Sequence, residues 1–315
     1  MLDLFNIPNN ATSTEIYYAN VTTGSTGTPP EALNSYYTWT KPQGCTFVNM
    51  ILIGGGGGGA SGGTGTTLSR SGGKGGGSSA VTTATFPAWT LPDTLYVQVG
   101  VGGEGGSNPT STTLVTGSQG QLSYVALYPT SSAEYIIIKS GNAAPGGGGS
   151  TYTGGGIAGT AFTSTYLSNL GLVSSTVGIA GANGGLGGTV PGIGTSVTPS
   201  FITCPGAGGG STNTNISQRT NGGAIVSTAF IPEVPSGSLT TPNGGNGSYT
   251  SIFNQLGLNH EPTIFTGGAG GAAISGSGGN GGNGSFGSGG GGGGGGNIGG
   301  NGGRGGNGIV VISTF

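Results

Sequence analysis

Along this chain, short runs of apolar, β-branched and aromatic residues alternate with long stretches that carry almost no side chain. The apolar runs lie at 15–21 (EIYYANV), 45–53 (CTFVNMILI), 94–101 (TLYVQVGV), 121–128 (QLSYVALY), 134–139 (EYIIIK), 224–230 (AIVSTAF) and 308–314 (GIVVIST). Each is bounded by Gly, Pro, Asn or Ser, the pattern of strands separated by turns. Several are continuous apolar runs, not alternations, which suits strands covered on both faces or partly covered by the glycine segments. Helical periodicity is nearly absent; 163–170 and 251–258 are the stretches where a single turn or short helix fits. The chain therefore reads as mainly β: a β-sandwich with long glycine-rich loops, some packed as polyglycine II helices, and very little helix.

The stretches between the runs are not uniform. Residues 54–59 and 289–296 are pure glycine. Elsewhere a larger side chain recurs at every third position: Ser277, Asn280, Asn283 and Phe286; then Ile298, Asn301, Arg304 and Asn307; then Asn183, Leu186 and Thr189. Gly/Ser-rich sequence behaves by default as flexible coil. A random-coil linker has no reason to hold Asn, Leu and Ile in a three-residue phase. An extended left-handed helix with three residues per turn does, because that phase places every side chain on one edge and leaves two edges bare. Bare edges let neighbouring segments approach and pair their N–H and C=O groups. The periodic tracts are thus expected to be packed, whereas pure glycine reads equally well as linker or as packed helix.

Composition sharpens this picture. Of 315 residues 79 are glycine and 4% are charged, against an average glycine usage of about 7%. Glycine contributes no side chain to a core, so much of the chain lies outside any conventional one. The 11 Tyr, 10 Phe and 2 Trp, with so few charges, argue against ordinary disorder. Six cations, Lys41, Arg70, Lys74, Lys139, Arg219 and Arg304, are scattered singly and form no phosphate-neutralising cluster, so no nucleic-acid partner is expected. Cys45 and Cys204 fit neither a stapled scaffold nor a zinc site, and buried free thiols are the favoured reading over a bridge. No basic-then-apolar leader opens the chain and no run of about 18 apolar residues occurs, so neither a secretory route nor membrane insertion is expected. Asn-x-Ser/Thr triplets at Asn10, Asn20, Asn215, Asn246 and Asn283 are what chance gives in so Asn-rich a chain. Residues 1–40 read as an N-terminal arm or attachment segment. Residues 41–315 read as one glycine-rich β domain, with a Ser/Thr/Gly-rich insertion near 141–265.

The usual constellations of catalysis are missing from the sequence. Gly72-Gly73-Lys74-Gly75 lacks the Ser or Thr that follows the lysine of a phosphate loop, and no helix follows. His260 is the single histidine and has no nucleophile-elbow context. The eight carboxylates, at Asp3, Glu15, Glu31, Asp93, Glu104, Glu134, Glu233 and Glu261, give no close pair for glycoside cleavage and no calcium loop. No catalytic, metal-binding or cofactor-binding residue is expected, and no cofactor. Trp39 and Trp89 are weighed as sugar-stacking rings or as caps of a strand sandwich, with the structural role favoured.

One resemblance goes beyond composition. Residues 39–59, WTKPQGCTFVNMILIGGGGGG, look like the opening of a glycine-rich domain found in bacteriophage tail fibres and other virion proteins. A strand of the type LYVQVGVGGEGG at 95–106 and the closing GGRGGNGIVVI at 302–312 continue the likeness. The resemblance implies a β-sandwich with glycine loops in which the strands at 39–59 and 302–315 are neighbours in one sheet. It implies a non-enzymatic virion surface fibre, adhesin or capsid-attached component, made in a host cytoplasm and assembled as a homotrimer or higher oligomer. Its partners would be other virion proteins and a host-surface glycan or protein. Two further classes fit the composition: a glycine-rich extracellular matrix or filament protein, and an ice-binding polyglycine II protein.

Overall fold

The computed structural model describes residues 13–20, 36–65, 70–107, 114–140, 172–199, 202–213, 217–228, 231, 233–250 and 264–315. Among these residues eleven strands occur: β1 (Ser13–Tyr18), β2 (Tyr37–Thr40), β3 (Phe47–Ile53), β4 (Val81–Pro87), β5 (Thr94–Gln98), β6 (Tyr124–Ala126), β7 (Ile136–Lys139), β8 (Leu172–Thr176), β9 (Tyr249–Thr250), β10 (Ile264–Phe265) and β11 (Ile309–Thr314). They form a five-stranded sheet in the order β1-β11-β3-β4-β8, a four-stranded sheet in the order β2-β5-β6-β7, and the ribbon β9-β10. All strand pairs are antiparallel. Helix is limited, among the described residues, to single turns at Ala88–Thr90 and Ala133–Tyr135.

The two larger sheets face each other as a sandwich. Val48, Met50 and Leu52 of β3, Ala84 and Phe86 of β4, and Val310 and Ile312 of β11 point inward from one sheet. Trp39, Leu95, Val97, Val125 and Ile138 meet them from the other. The opposite face of the five-stranded sheet is covered too, for Ile51, Ile53, Val81 and Ile309 pack with Phe265, Ile202 and Phe286. A strand buried on both faces needs an apolar side chain at nearly every position, which is why β3 and β11 read as continuous apolar runs. These two pair directly, Val310 against Leu52 and Ile312 against Met50, as the resemblance implies.

The sequence misplaces some elements. β2, β4 and β8 (YTWT, VTTATFP, LVSST) escape the apolar pattern because they are short or rich in hydroxyls. The run at 224–230 is not a strand over its described residues. The amides of Gly222, Gly223, Ile225 and Val226 donate to Gly237, Gly208, Val234 and Val197 respectively. Successive amides thus turn to different segments, whereas a strand directs its amides to at most two flanking partners. The short helical stretches expected at 163–170 and 251–258 lie outside the described residues. Strands β1 and β2, which fall within 1–40, join the five-stranded and the four-stranded sheet.

One end of the sandwich gives rise to the glycine segments. β3 ends at Ile53 opposite Val81, where β4 begins, and Ile309, where β11 begins. Thr176 at the end of β8 lies opposite Val81. In the other sheet Gln98, ending β5, lies opposite Tyr124, starting β6. The two sheets open in the same direction, for the Ser123 hydroxyl donates to the Ile53 carbonyl at 2.7 Å and the Gly308 amide to the Gly100 carbonyl at 2.8 Å. Three buried serines stitch this junction: Ser79, Ser123 and Ser288 accept hydrogen bonds from the amides of Gly54, Gly100 and Cys204. Strand thus passes into glycine helix with these three buried amides satisfied by side chains.

Candidate functional surface: the glycine bundle

Beyond the junction the glycine segments pack side by side, and their hydrogen bonds step in threes. In 55–63, the amides of Gly55, Gly58 and Ser61 donate to Gln121, Ser118 and Val115. Those of Gly56, Gly59 and Gly62 donate to Gly306, Gly303 and Gly300, and those of Gly57, Ala60 and Gly63 to Gly77, Lys74 and Ser71. One segment thus serves three neighbours in rotation, as a helix with three residues per turn requires. The periodic tracts and the pure glycine tracts both belong to this polyglycine II bundle.

The residues 288–296 lie innermost. Their amides donate to 204–210, 57–63 and 279–282, and their carbonyls accept from 71–77, 266–274 and 300–306, which makes six surrounding segments. No edge remains free, so no position is left for a side chain. A Cβ at Gly289, Gly291, Gly292 or Gly294 would collide with the carbonyl oxygen of Gly76, Ala269, Gly73 or Ala272. Close contacts of this kind place Cα–H groups against carbonyl oxygens, a weak addition to the amide ladder. The bend entering this segment falls at Gly287, which has φ +65° and so favours glycine.

Peripheral helices show the three-residue phase because one edge faces water. Asn183, Leu186 and Thr189 are exposed, as are Ser277, Asn280 and Asn283, while Gly184, Gly185, Gly278 and Gly279 between them are buried. The asparagines do more than fill the free edge. The side-chain oxygens of Asn243 and Asn280 accept the amides of Asn280 and Asn301, each at 2.9 Å. One turn along, Asn246 and Asn283 accept the amides of Asn283 and Arg304, again at 2.9 Å. A carboxamide here stands in for the backbone carbonyl that an inner helix would receive from its neighbour. Three residues at about 3.1 Å each separate the rows by roughly 9 Å. The result is a regular face of amides, bordered by the Arg304–Glu104 ion pair at 3.1 Å. Asn280→Ala should destabilise the protein by about 1 kcal/mol, whereas Asn280→Asp, which keeps the acceptor, should cost less; chemical denaturation of the two variants compares them.

The far end of the bundle carries loops with exposed Leu186, Val190, Leu239 and Ile298. Arg70 is buried there, its Nη1 donating to the Thr212 hydroxyl and its Nε to the Gly65 carbonyl, and burial lowers its pKa from the ordinary guanidinium value. Lys74 is buried within the helix 71–77, where the amides of Gly72, Gly73, Gly75 and Gly76 donate to Gly185, Gly293, Ala182 and Gly290. That stretch is an inner wall of the bundle and not a phosphate loop. At the opposite end of the molecule, Phe47, Trp89 and Tyr128 are exposed, and Tyr128 stacks edge-on against Tyr135 with centroids 5.0 Å apart.

The residues singled out from sequence separate clearly. Trp39 is 1% exposed at the centre of the sandwich and touches no solvent, so it is core and not a receptor contact. Trp89 is 84% exposed. Lys41 pairs with Asp93 at 3.1 Å and donates to the carbonyls of Ala88 and Leu91, fixing the single turn that carries Trp89. Glu15 accepts the Tyr17 hydroxyl at 2.6 Å, and burial with this bond raises the phenol pKa. His260 and Glu261 lie outside the described residues. Among those described, no group of three His, Cys, Asp or Glu is placed to hold a metal, and no helix is long and apolar enough to cross a membrane.

Cys45 and Cys204 are free thiols, but only Cys204 is buried, Cys45 being part-exposed. Cys204 is fully buried at the junction, and desolvation pushes its pKa up to about 12, partly offset by a backbone hydrogen bond from Gly267. A thiol held protonated and out of water does not react. Native protein should therefore consume about one equivalent of a thiol reagent, at Cys45, and two after unfolding; reagent titration with peptide mapping checks both numbers.

Residues 31–144 match the family model of a glycine-rich domain. That segment holds β2 to β7 and the glycine segments 54–63, 71–79 and 99–106. No match to the protein was found among curated proteins.

Proposed function

We propose that this protein is a non-enzymatic structural protein of a virus particle, a surface fibre, adhesin or capsid-attached component that acts as a homo-oligomer. The observation that carries the reading is the bundle itself. Its inner backbone groups are paired with one another, its faces carry almost no charge, and it projects from one end of a sandwich. Such a body is a stiff spacer that holds loops away from an anchored base. The likeness of 39–59 and 302–312 to the glycine-rich domains of tail fibres supports the viral setting. Exposed aromatic rings, common at protein interfaces, lie at the sandwich end, the side on which a particle would hold it. The uncharged loops around Val190, Leu239 and Ile298 are then the surface that meets a host glycan or protein. Quantitative mass spectrometry of purified particles tests this: a fixed copy number per particle is expected, and absence from particles with recovery in an extracellular fibre fraction would sink it. Light scattering in solution should give a trimer or larger, and a stable monomer at all concentrations counts against the fibre form.

The asparagine face favours one second reading. A regular array of amides with little charge is also what an ice-binding surface presents. Thermal hysteresis at micromolar protein, lost on replacing Asn280 and Asn283, would install that reading in place of the first.

A further inference from the structure

Eight asparagines of this protein precede glycine, and all eight lie within the described bundle. In a flexible polypeptide that pair degrades itself. The deprotonated glycine nitrogen attacks the asparagine Cγ, the carboxamide C–N bond breaks, ammonia leaves, and water opens the resulting succinimide to aspartate or isoaspartate. Glycine is the most permissive follower because no side chain shields its nitrogen. We propose that the bundle locks this reaction out at its asparagine ladder and leaves Asn221 as the site where modification starts.

Both reacting groups are held at five positions. The side-chain oxygens of Asn243, Asn246, Asn280, Asn283 and Asn307 accept amides from the adjoining helix, which draws each Cγ across to that helix and away from its own following peptide. The following amides, of Gly244, Gly247, Gly281, Gly284 and Gly308, donate to neighbouring carbonyls at 2.6–2.9 Å. Attack needs the side chain to fold back over a peptide that is itself pinned, so it proceeds only after local opening. Asn183 and Asn301 have partners as well, whereas Asn221 differs at its side chain. It is exposed, its carboxamide is held by no neighbour among the described residues, and the Gly222 amide reaches the Gly237 carbonyl at a longer 3.1 Å. Isoaspartate at Asn221 inserts an extra backbone atom into a segment whose packing counts in threes.

Incubating the full-length protein in mildly alkaline buffer, native and denaturant-unfolded, and mapping peptides over time tests the proposal. In the native protein the Asn221 peptide should convert first, and the five ladder peptides at least about tenfold more slowly than in the unfolded protein. Conversion of the ladder at its unfolded rate overturns the locking, and conversion of Asn221 no faster than the ladder overturns its assignment. Asn221→Ser should abolish the early phase and leave the ladder peptides unchanged; an early phase that persists counts against Asn221 as its source.

Discussion

Gly292→Ala, a single methyl group, should cost more than about 3 kcal/mol, enough to unfold the bundle or abolish recovery of folded protein. Gly292 sits midway along the innermost helix. Its amide donates to the Ala207 carbonyl and its carbonyl accepts from Gly271, while a Cβ would strike the carbonyl oxygen of Gly73. Overpacking in an ordinary core is relieved by rotating side chains. Here the obstructing atoms are backbone, and the segments carrying them are tied by ladders of their own, so relief means separating helices and breaking several hydrogen bonds together. Gly276→Ala is the control. Nothing stands within 4 Å of a Cβ at Gly276 and its φ is not in the left-handed range. That substitution should be neutral or stabilise by up to about 1 kcal/mol, through loss of freedom in the unfolded state. Thermal and guanidinium unfolding of both variants decides the matter. A Gly292→Ala protein as stable as Gly276→Ala would show that the inner helix is not packed as described.

The second large effect is in the sandwich. Trp39→Ala should destabilise by about 3–5 kcal/mol, while Trp89→Ala should stay within about 0.5 kcal/mol of the parent. Trp39 lies in β2 opposite Leu95 and fills the space between the sheets with Leu95, Val97 and Phe86. Removing it leaves a cavity that the flanking strands cannot close without breaking register. Trp89 projects from a single turn into solvent. If the exposed ring contacts a neighbouring subunit or particle protein, Trp89→Ala should leave monomer stability untouched and weaken assembly. Unfolding curves together with sedimentation of the two variants separate these roles. Equal loss of stability in both would contradict the difference in burial between the two rings.

How much of this was legible in advance depended on where each residue faces. β3 and β11 were plain because both their faces are covered and nearly every position is apolar. β4 was hidden because Thr82, Thr83 and Thr85 make it resemble a linker, although Thr82 reaches the Ser175 hydroxyl and Thr85 accepts from Asn49. The two tryptophans look alike in sequence, each beside a proline- or lysine-bearing turn. Only tertiary packing buries one and exposes the other. In the bundle, the outer helices announced themselves through Asn280, Asn283 and Asn301, since an edge open to water can keep a side chain. The inner helix has no such edge. Perfect enclosure and perfect flexibility both call for unbroken glycine, and the sequence alone does not separate them. The asparagine bonds between helices were likewise invisible, because they join residues 37 and 21 positions apart.

The position of the innermost segment along the sequence also sets a timetable. The helix at 288–296 gathers partners from 57–63, 71–77 and 204–210, and β11 at 309–314 sits between β1 and β3. On a ribosome the polypeptide emerges with its centre still unmade. Until 288–296 emerges, glycine segments already outside have no middle to pack around, and β1 and β3 wait with open edges between them. Closure then depends on contacts between residues hundreds of positions apart, the condition under which folding is slow and exposed edges invite wrong partners. A protein with so few charges has little repulsion to keep such intermediates apart. Its yield in a cell is therefore expected to respond more to translation speed and chaperone supply than to the stability of the finished fold.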